Sequence, residues 1–251
     1  MIRSIRILRQ HGVQYVPNLR TAELNPLFRG RPVIKGEVPA ELATHLAKMC
    51  PSEAIEIAPF SIDLGKCVFC RECEFAAPEN IRFTNDWHMA TNNRENLIVK
   101  ADHDNPVIPD PDLVRKEIRN LFRRSLKLRQ VSAGGDASNE MELNAAGNVN
   151  FDMGRYGIEF VASPRHADGV VITGPITENM AEALQICFDA TPKPSLVILC
   201  GTDAISGGLF QESNAVKRSF LIRHPIDLYV PGNPVHPLTF INGVLDLIGR
   251  K

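Results

Sequence analysis
Four of the six cysteines fall within 24 positions, at Cys50, Cys67, Cys70 and Cys73. Nothing else in the 251 residues constrains the fold as tightly, because Cys67-Val-Phe-Cys70-Arg-Glu-Cys73 is a C-x2-C-x2-C triplet. One tight loop of this kind delivers three thiols to a single centre. Cys50, followed by Pro51, can supply a fourth from a distance. A secreted disulfide framework would be smaller and its cysteines more evenly spread. The first residues, MIRSIRILRQHG, set basic side chains among apolar ones and lack the unbroken apolar core of an export signal. Clustered thiols in an intracellular chain point to metal.

The spacing leaves two metal readings and a third without metal. Bacterial ferredoxins divide the four thiolates of a 4Fe-4S cluster between a triplet and a remote Cys-Pro. Zinc also closes with four cysteines, usually as two separated pairs. Plain buried thiols are the remaining alternative. A full ferredoxin run would place another cysteine at position 77, before a proline. Here Ala77 precedes Pro78, and no cysteine lies upstream of Cys50. Both contributions to a second cluster are missing together, while all four ligands of the first remain. The segment resembles a two-cluster ferredoxin reduced to one 4Fe-4S cluster held by Cys50, Cys67, Cys70 and Cys73.

Around this unit the chain divides by its breakers and periods. Residues 1–36 carry Pro17, Pro26, Pro32, Gly30 and Gly36 with no sustained period, and read as an extended arm, either disordered or ordered against a partner subunit. The ferredoxin-like unit covers 37–100, with a helix from Glu41 to Met49 and strands at Ala54–Ile57 and Ile81–Thr84. A linker rich in proline follows at 101–112. In 114–129, Ile118, Leu121, Phe122 and Ser125 share a helical face, and seven residues from Arg115 to Arg129 are basic. That pattern predicts a basic helix, either a solvated face or one lying along headgroups or an acidic partner. The linker and basic helix together occupy 101–130.

From 131 to 251 the pattern is α/β. Strands are predicted at Gly157–Val161, Gly169–Thr173, Leu196–Cys200 and Ile226–Val230, with helices at Glu178–Ala190 and Leu238–Ile248. Short apolar strands alternating with helices predict a parallel sheet covered on both faces. The charges balance, 28 Lys and Arg against 29 Asp and Glu, so no overall field favours nucleic acid. The longest apolar runs are too short to span a bilayer.

The second half also resembles a known family. Residues 155–177 (RYGIEFVASPRHADGVVITGPIT), Asp203-Ala-Ile-Ser-Gly-Gly-Leu-Phe and Tyr229-Val-Pro-Gly-Asn-Pro-Val-His-Pro are similar, in the same order, to the 20 kDa subunit family of NADH:quinone oxidoreductase (complex I). That family includes the small subunits of group 4 membrane-bound [NiFe] hydrogenases and formate hydrogenlyases. RRSLKLRQV followed by SAGGD looks like the start of the same domain, so the likeness covers roughly 125–250. It implies an α/β flavodoxin-like domain after the α+β ferredoxin-like one. It also implies a 4Fe-4S cluster in loops at the sheet's carboxyl edge, facing a large catalytic subunit.

The departures matter as much as the match. Where the family has C-x2-C-x2-E, this chain has Asp136, Asn139 and Glu142; Asp203 and Asn233 stand at the other two cysteine positions. Oxygen and amide groups are poor replacements for thiolates on an iron–sulfur cluster, so this half is expected to hold none. A hard cation on Asp136, Asp203 and Glu142 is one alternative reading. The other is that Asp and Asn close the loops by hydrogen bonding. Glu142 matches an acid that hydrogenases associate with proton movement. Cys187 and Cys200 read as packing thiols, and His88, His166 and His236 as surface or hydrogen-bonded side chains. Ser206-Gly207-Gly208 lacks the Lys-Ser/Thr ending of a phosphate loop.

The expectation is a subunit of an oxidoreductase complex rather than a free-standing enzyme. It would carry electrons through one 4Fe-4S cluster, beside a large-subunit homologue and membrane subunits, in the cytoplasm and peripheral to the inner membrane. The alternative is a non-redox scaffold with a structural or regulatory cluster, or zinc.

Overall fold
The central strands predicted from the sequence are buried on both faces, and that burial sets the architecture. Val170, Val171 and Ile172 are closed to solvent, as is the whole of Leu196–Cys200. A strand with no polar face belongs inside a sheet covered on both sides. The computed structural model describes residues 2–12, 15–101 and 107–250. Residues 1, 13 and 14 of the predicted arm and 102–106 of the predicted linker lie outside them.

The first region contains α1 (Ile2–His11), β1 (Pro32–Ile34), α2 (Ala40–Met49), β2 (Ile55–Ile57), β3 (Phe60–Asp63), α3 (Glu72–Ala76), β4 (Ile81–Phe83) and β5 (Ile98–Lys100). β1 pairs antiparallel with β4, Ile34 opposite Ile81, and β2, β3 and β5 form a second antiparallel sheet. Next come α4 (Lys116–Leu121), β6 (Leu126–Ser132), α5 (Ser138–Ala146), β7 (Ile158–Phe160), β8 (Gly169–Thr173) and α6 (Glu178–Asp189). β9 (Leu196–Cys200), α7 (Thr202–Ser206), α8 (Ser219–Arg223), β10 (Leu228–Val230) and α9 (Pro237–Leu247) complete the order.

The result is a mixed α/β molecule with a five-stranded sheet, parallel throughout, in the order β10-β9-β8-β6-β7. That order is consistent with a flavodoxin-like sheet, whose ligand crevice opens where the winding reverses, here beyond the carboxyl ends of β6 and β8. Alternate strand residues feed two cores. Val131, Val170 and Ile172 face α6, α8 and the cysteine-bearing region. Leu126, Leu128 and Val171 face α4, α5 and α9. The first core therefore runs without a break from Ile34 and Leu46 to Phe220.

Two expectations need correction. The basic helix at 114–129 is helical only over Lys116–Leu121, and Leu126–Ser132 is a strand in the interior of the sheet. Leu126 and Leu128 are fully buried, and Lys127 between them points out. Each such leucine stabilises the strand by about 1.5–3 kcal/mol, more than the ~0.7 kcal/mol that separates ordinary residues in helix propensity. The α/β region thus begins at 126, inside the predicted linker. The arm at 1–36 is also not extended throughout: Ile2–His11 is helical. Its later part is ordered by this chain itself. Leu19 is fully buried, the Asn242 side chain donates to its carbonyl (3.1 Å), Trp87 Nε1 donates to the Ala22 carbonyl (3.0 Å), and Arg20 pairs with Asp246. Among the described residues no helix is long and apolar enough to cross a membrane.

Candidate functional site
The triplet loop turns sharply because two of its residues adopt left-handed backbone, Phe69 at φ 53° and Arg71 at φ 70°. Side chains with a Cβ rarely accept that conformation, and such strain collects at functional sites. α3 starts immediately afterwards and carries Cys73 on its buried side. Cys50 closes α2, its N–H still bonded to the Leu46 carbonyl, and Pro51 stops the helix there. All four predicted thiols line one cavity, walled by Leu46, Ile55, Ile62 and Phe83. Backbone N–H groups already point at two sulfurs: Ala54 to Cys50 Sγ and Phe69 to Cys67 Sγ, each at 3.3 Å.

Electrostatics at these sulfurs favours a cationic occupant. Burial pushes the Cys67 thiol well up, and the neighbouring Cys73, Cys50 and Cys70 push it further. Cys73 is pushed up to about 12, first by burial and then by Cys70 and Cys50. Four thiolates cannot share an apolar pocket without positive charge among them, and iron or zinc supplies that charge while displacing the protons. Among the described residues no three His, Cys, Asp or Glu side chains approach closely enough to hold a single ion. The thiols surround a cavity rather than a point.

This loop rests on the carboxyl edge of the parallel sheet. Thr202, the fully buried first residue of α7, donates its hydroxyl to the Cys67 carbonyl at 2.8 Å and lies 3.3 Å from the Gly232 carbonyl. The residues at the family's cluster positions gather around the same edge. Asp136 accepts from Ser138 N–H (2.9 Å) and Oγ (2.6 Å), which hold its carboxyl below the usual range. Asn139 is buried, and its Oδ1 accepts from Val235 N–H at 2.9 Å. Gly201, at φ 97°, passes so close that a Cβ there would lie 2.3 Å from Asn139 Nδ2.

Asp203 is buried, and its carboxyl is pushed up to about 6 by burial, then by the charges of Asp136 and Glu140. Asn233, joined to Pro234 by a cis bond, lines a separate cavity of about 220 Å³ with Glu142, Phe69 and His236. Burial raises the Glu142 carboxyl. The three carboxylates of the alternative hard-cation reading do not form a site among the described residues: Glu142 lines this cavity, while Asp203 feels the charges of Asp136 and Glu140.

The other singled-out residues have ordinary partners. Cys200 is fully buried at the end of β9, and Cys187 is half-buried on α6 against the first core. His88 Nδ1 lies 2.7 Å from Asp86 Oδ1 and its ring stacks on Trp87; His166 is exposed. His236 caps α9 by accepting from Leu238 N–H at 3.1 Å, and burial pushes its imidazole down to about 4. Ser206 Oγ bonds back to the Thr202 carbonyl and accepts from Gly208 N–H, so that turn is closed on itself.

Sequence reasoning missed Thr202, Glu140 and Arg218. Glu140 accepts from the buried Thr173 hydroxyl at 2.6 Å. Arg218 donates to the carbonyls of Pro175, Asp203, Ala204 and Ile205, fixing α7 against the loop after β8. For Thr202 the only sequence signal is a hydroxyl placed directly after Gly201 at the end of a predicted strand.

Comparison with known proteins bears on the second half. The family described as NADH ubiquinone oxidoreductase, 20 Kd subunit, matches residues 137–247. An NADH-quinone oxidoreductase subunit of Clostridium beijerinckii is 42% identical over 108 residues, 43% of this chain and 64% of that protein. A probable membrane-bound hydrogenase subunit of Pyrococcus furiosus is 34% identical over 135 residues, 53% of this chain and 81% of that protein. A chain of the membrane-bound sulfane sulfur reductase, an archaeal respiratory membrane complex, matches 53% of this chain and 73% of its own length at 23% identity and a TM-score of 0.46. With the P. furiosus subunit covered over four-fifths of its length and the family's motifs lying along the carboxyl edge of the sheet, this chain belongs to the NADH ubiquinone oxidoreductase 20 kDa subunit family.

Proposed function
We propose that this chain is an electron-transfer subunit of a membrane-bound oxidoreductase of the complex I or [NiFe]-hydrogenase kind. In this reading Cys50, Cys67, Cys70 and Cys73 hold one 4Fe-4S cluster in a ferredoxin-like domain at 37–100, and the flavodoxin-like α/β domain holds none. The single observation that carries the reading is the convergence of all four thiols on one apolar cavity, with two N–H groups aimed at sulfur. Hydrogen bonds to the sulfurs and restricted solvent access are the means by which proteins tune such clusters. The triplet-plus-one spacing of the thiols favours a cluster over a zinc ion, whose four cysteines usually come as two separated pairs. When bound, the cluster supplies one-electron transfer.

The chain's own residues orient and insulate that site. The left-handed turns at Phe69 and Arg71 aim the thiols inward, Leu46, Ile62 and Phe83 exclude water, and Thr202 anchors the loop to the sheet edge. The relatives' names, a quinone oxidoreductase subunit and a membrane-bound hydrogenase subunit, support partner subunits in a membrane-bound complex, which in this reading are a large-subunit homologue and membrane subunits. The name of the membrane-bound hydrogenase subunit supports a position peripheral to a membrane, and in this reading the chain sits on the cytoplasmic side.

A second reading, a scaffold whose cluster is structural, is favoured by one observation: Asp136 bonds within its own loop and Asn139 ties the start of α5 to the loop at Val235, so the chain's own groups close the sheet edge. Anaerobic purification with iron and sulfide analysis and electron paramagnetic resonance tests the site. The expected result is about four irons per chain and one reducible 4Fe-4S signal. Stoichiometric zinc without iron overturns it, and roughly twice the iron would place a cluster in the α/β domain. Replacing Cys70 with Ala in the intact complex separates relay from scaffold: lost turnover with normal assembly supports the relay, and unchanged turnover refutes it.

A further inference from the structure
We propose that α1 is an interfacial helix that lies on anionic lipid headgroups. The inference goes beyond the function proposed above and does not rest on it. α1 carries Arg3, Arg6 and Arg9 and no acidic side chain, and the first acid in the sequence is Glu23. At 100° per residue the three arginines form one arc, with Ile5 and Leu8 side by side along one flank and Ile7 on the other. These aliphatic side chains are left in water: Ile5 is 53% exposed, Ile7 45% and Leu8 70%. None of them belongs to either core.

A short cationic helix with bare aliphatic flanks matches a surface that is negative and has an apolar layer beneath it. Amphipathic helices of this composition sink their aliphatic side chains to the acyl boundary while arginine meets lipid phosphate. A protein partner is the weaker fit. Ten residues interrupted by three arginines offer far less than the apolar area that stable protein interfaces bury. Near an anionic membrane each basic residue multiplies binding roughly fivefold, so the three together supply a factor of roughly 100.

The test is cosedimentation of the full-length chain with vesicles of phosphatidylcholine alone or mixed with phosphatidylglycerol. The expected result is binding to the anionic vesicles only, reversed by high salt as screening requires. Substituting Arg3→Glu, Arg6→Glu and Arg9→Glu together should lower the partition coefficient by roughly 100-fold or more. Leu8→Ser should lower it severalfold. Because α1 lies outside both cores, the circular dichroism spectrum and metal content of these variants should match the parent. Equal binding to neutral vesicles, or anionic binding unmoved by the triple substitution, overturns the proposal. A triple variant that fails to join its complex while parent and variant both ignore vesicles assigns α1 to a protein partner instead.

Discussion

The cysteine pocket and the carboxyl edge of the sheet lie one hydrogen bond apart, from Thr202 to the Cys67 carbonyl, yet their polar groups are arranged in opposite ways. In the pocket, backbone N–H groups point at sulfur, burial and then the neighbouring thiols suppress the ionisation of Cys67 and Cys73, and the lining Arg71 is already paired with Glu74. At the sheet edge, Asp136 bonds to Ser138, Asn139 to Val235, and Glu140 to Thr173. In the proposed reading the first region calls for an added positive charge. In the second, Asp136, Asn139 and Glu140 are satisfied within the chain, with the buried Asp203 as the exception. Donor softness separates them chemically, since thiolate suits iron and amide or carboxylate does not. Self-satisfaction separates them energetically, because opening the sheet-edge loops would cost the hydrogen bonds that now close them.

The largest effect that could break this contrast is on metal content. Cys67→Ala should abolish bound iron altogether, since Cys67 is the most enclosed ligand of the proposed cluster and the cavity is lined by just the four cysteines it needs. Iron analysis after anaerobic purification measures it. Retention of half or more of the parent's iron would mean that the sheet edge holds metal after all.

Next is the pH dependence of stability. Asp203 sits at about 6 in the folded chain against an ordinary 3.8, chiefly through burial. The folded state therefore holds this proton more tightly than the unfolded state does. The contribution is complete below about pH 4 and is lost as pH rises through 6. Asp203→Asn removes the ionisation and should stabilise the chain by up to about 3 kcal/mol at pH 7, with little change near pH 4. Asp136 has the opposite sign, its carboxyl held low by Ser138, so its share is present at neutral pH and lost on acidification. Urea titrations at the two pH values decide the matter, and an equal gain at both would show that packing rather than charge is responsible.

Asn139→Ala should cost about 2 kcal/mol, the penalty for leaving the Val235 N–H buried without an acceptor. Iron content should be unchanged. A loss of iron would show that the two regions depend on each other more deeply than their hydrogen bonds indicate.

The legibility of each part follows from the range of its signal. β8 and β9 can be read from the sequence because strands buried on both faces are continuous apolar runs. β6 is hidden: Leu126-Lys127-Leu128-Arg129 alternates for only four residues, directly after a segment with helical spacing and many charges. α1 is masked because its arginines recur every three residues without a wide apolar stripe. The cysteine pocket is legible because its spacing is local, three thiols in seven residues. Asp136, Asn139, Asp203 and Asn233 carry no such local signal and are visible only against a family pattern. Thr202 has neither, since its role depends on a carbonyl 135 positions away in the sequence.

Thr202 therefore offers the smallest and most discriminating test. Thr202→Val keeps the volume and branching of the side chain but removes the hydroxyl donor to the Cys67 carbonyl, at a cost of about 1 kcal/mol. Because the bond goes to a backbone oxygen and not to sulfur, full iron loading is expected. The loop carrying Cys67 should be less tightly held against the sheet, which hydrogen exchange at Val68 and Phe69 would report as faster opening. Thr202→Ser, which keeps the hydroxyl, should restore the parent behaviour. If Val and Ser variants exchange alike, the hydroxyl does not couple the pocket to the sheet edge. The two regions would then be held together by their other contacts, such as the Gln211 to Glu53 hydrogen bond (3.2 Å) and the packing of Ile205 beside Gly65.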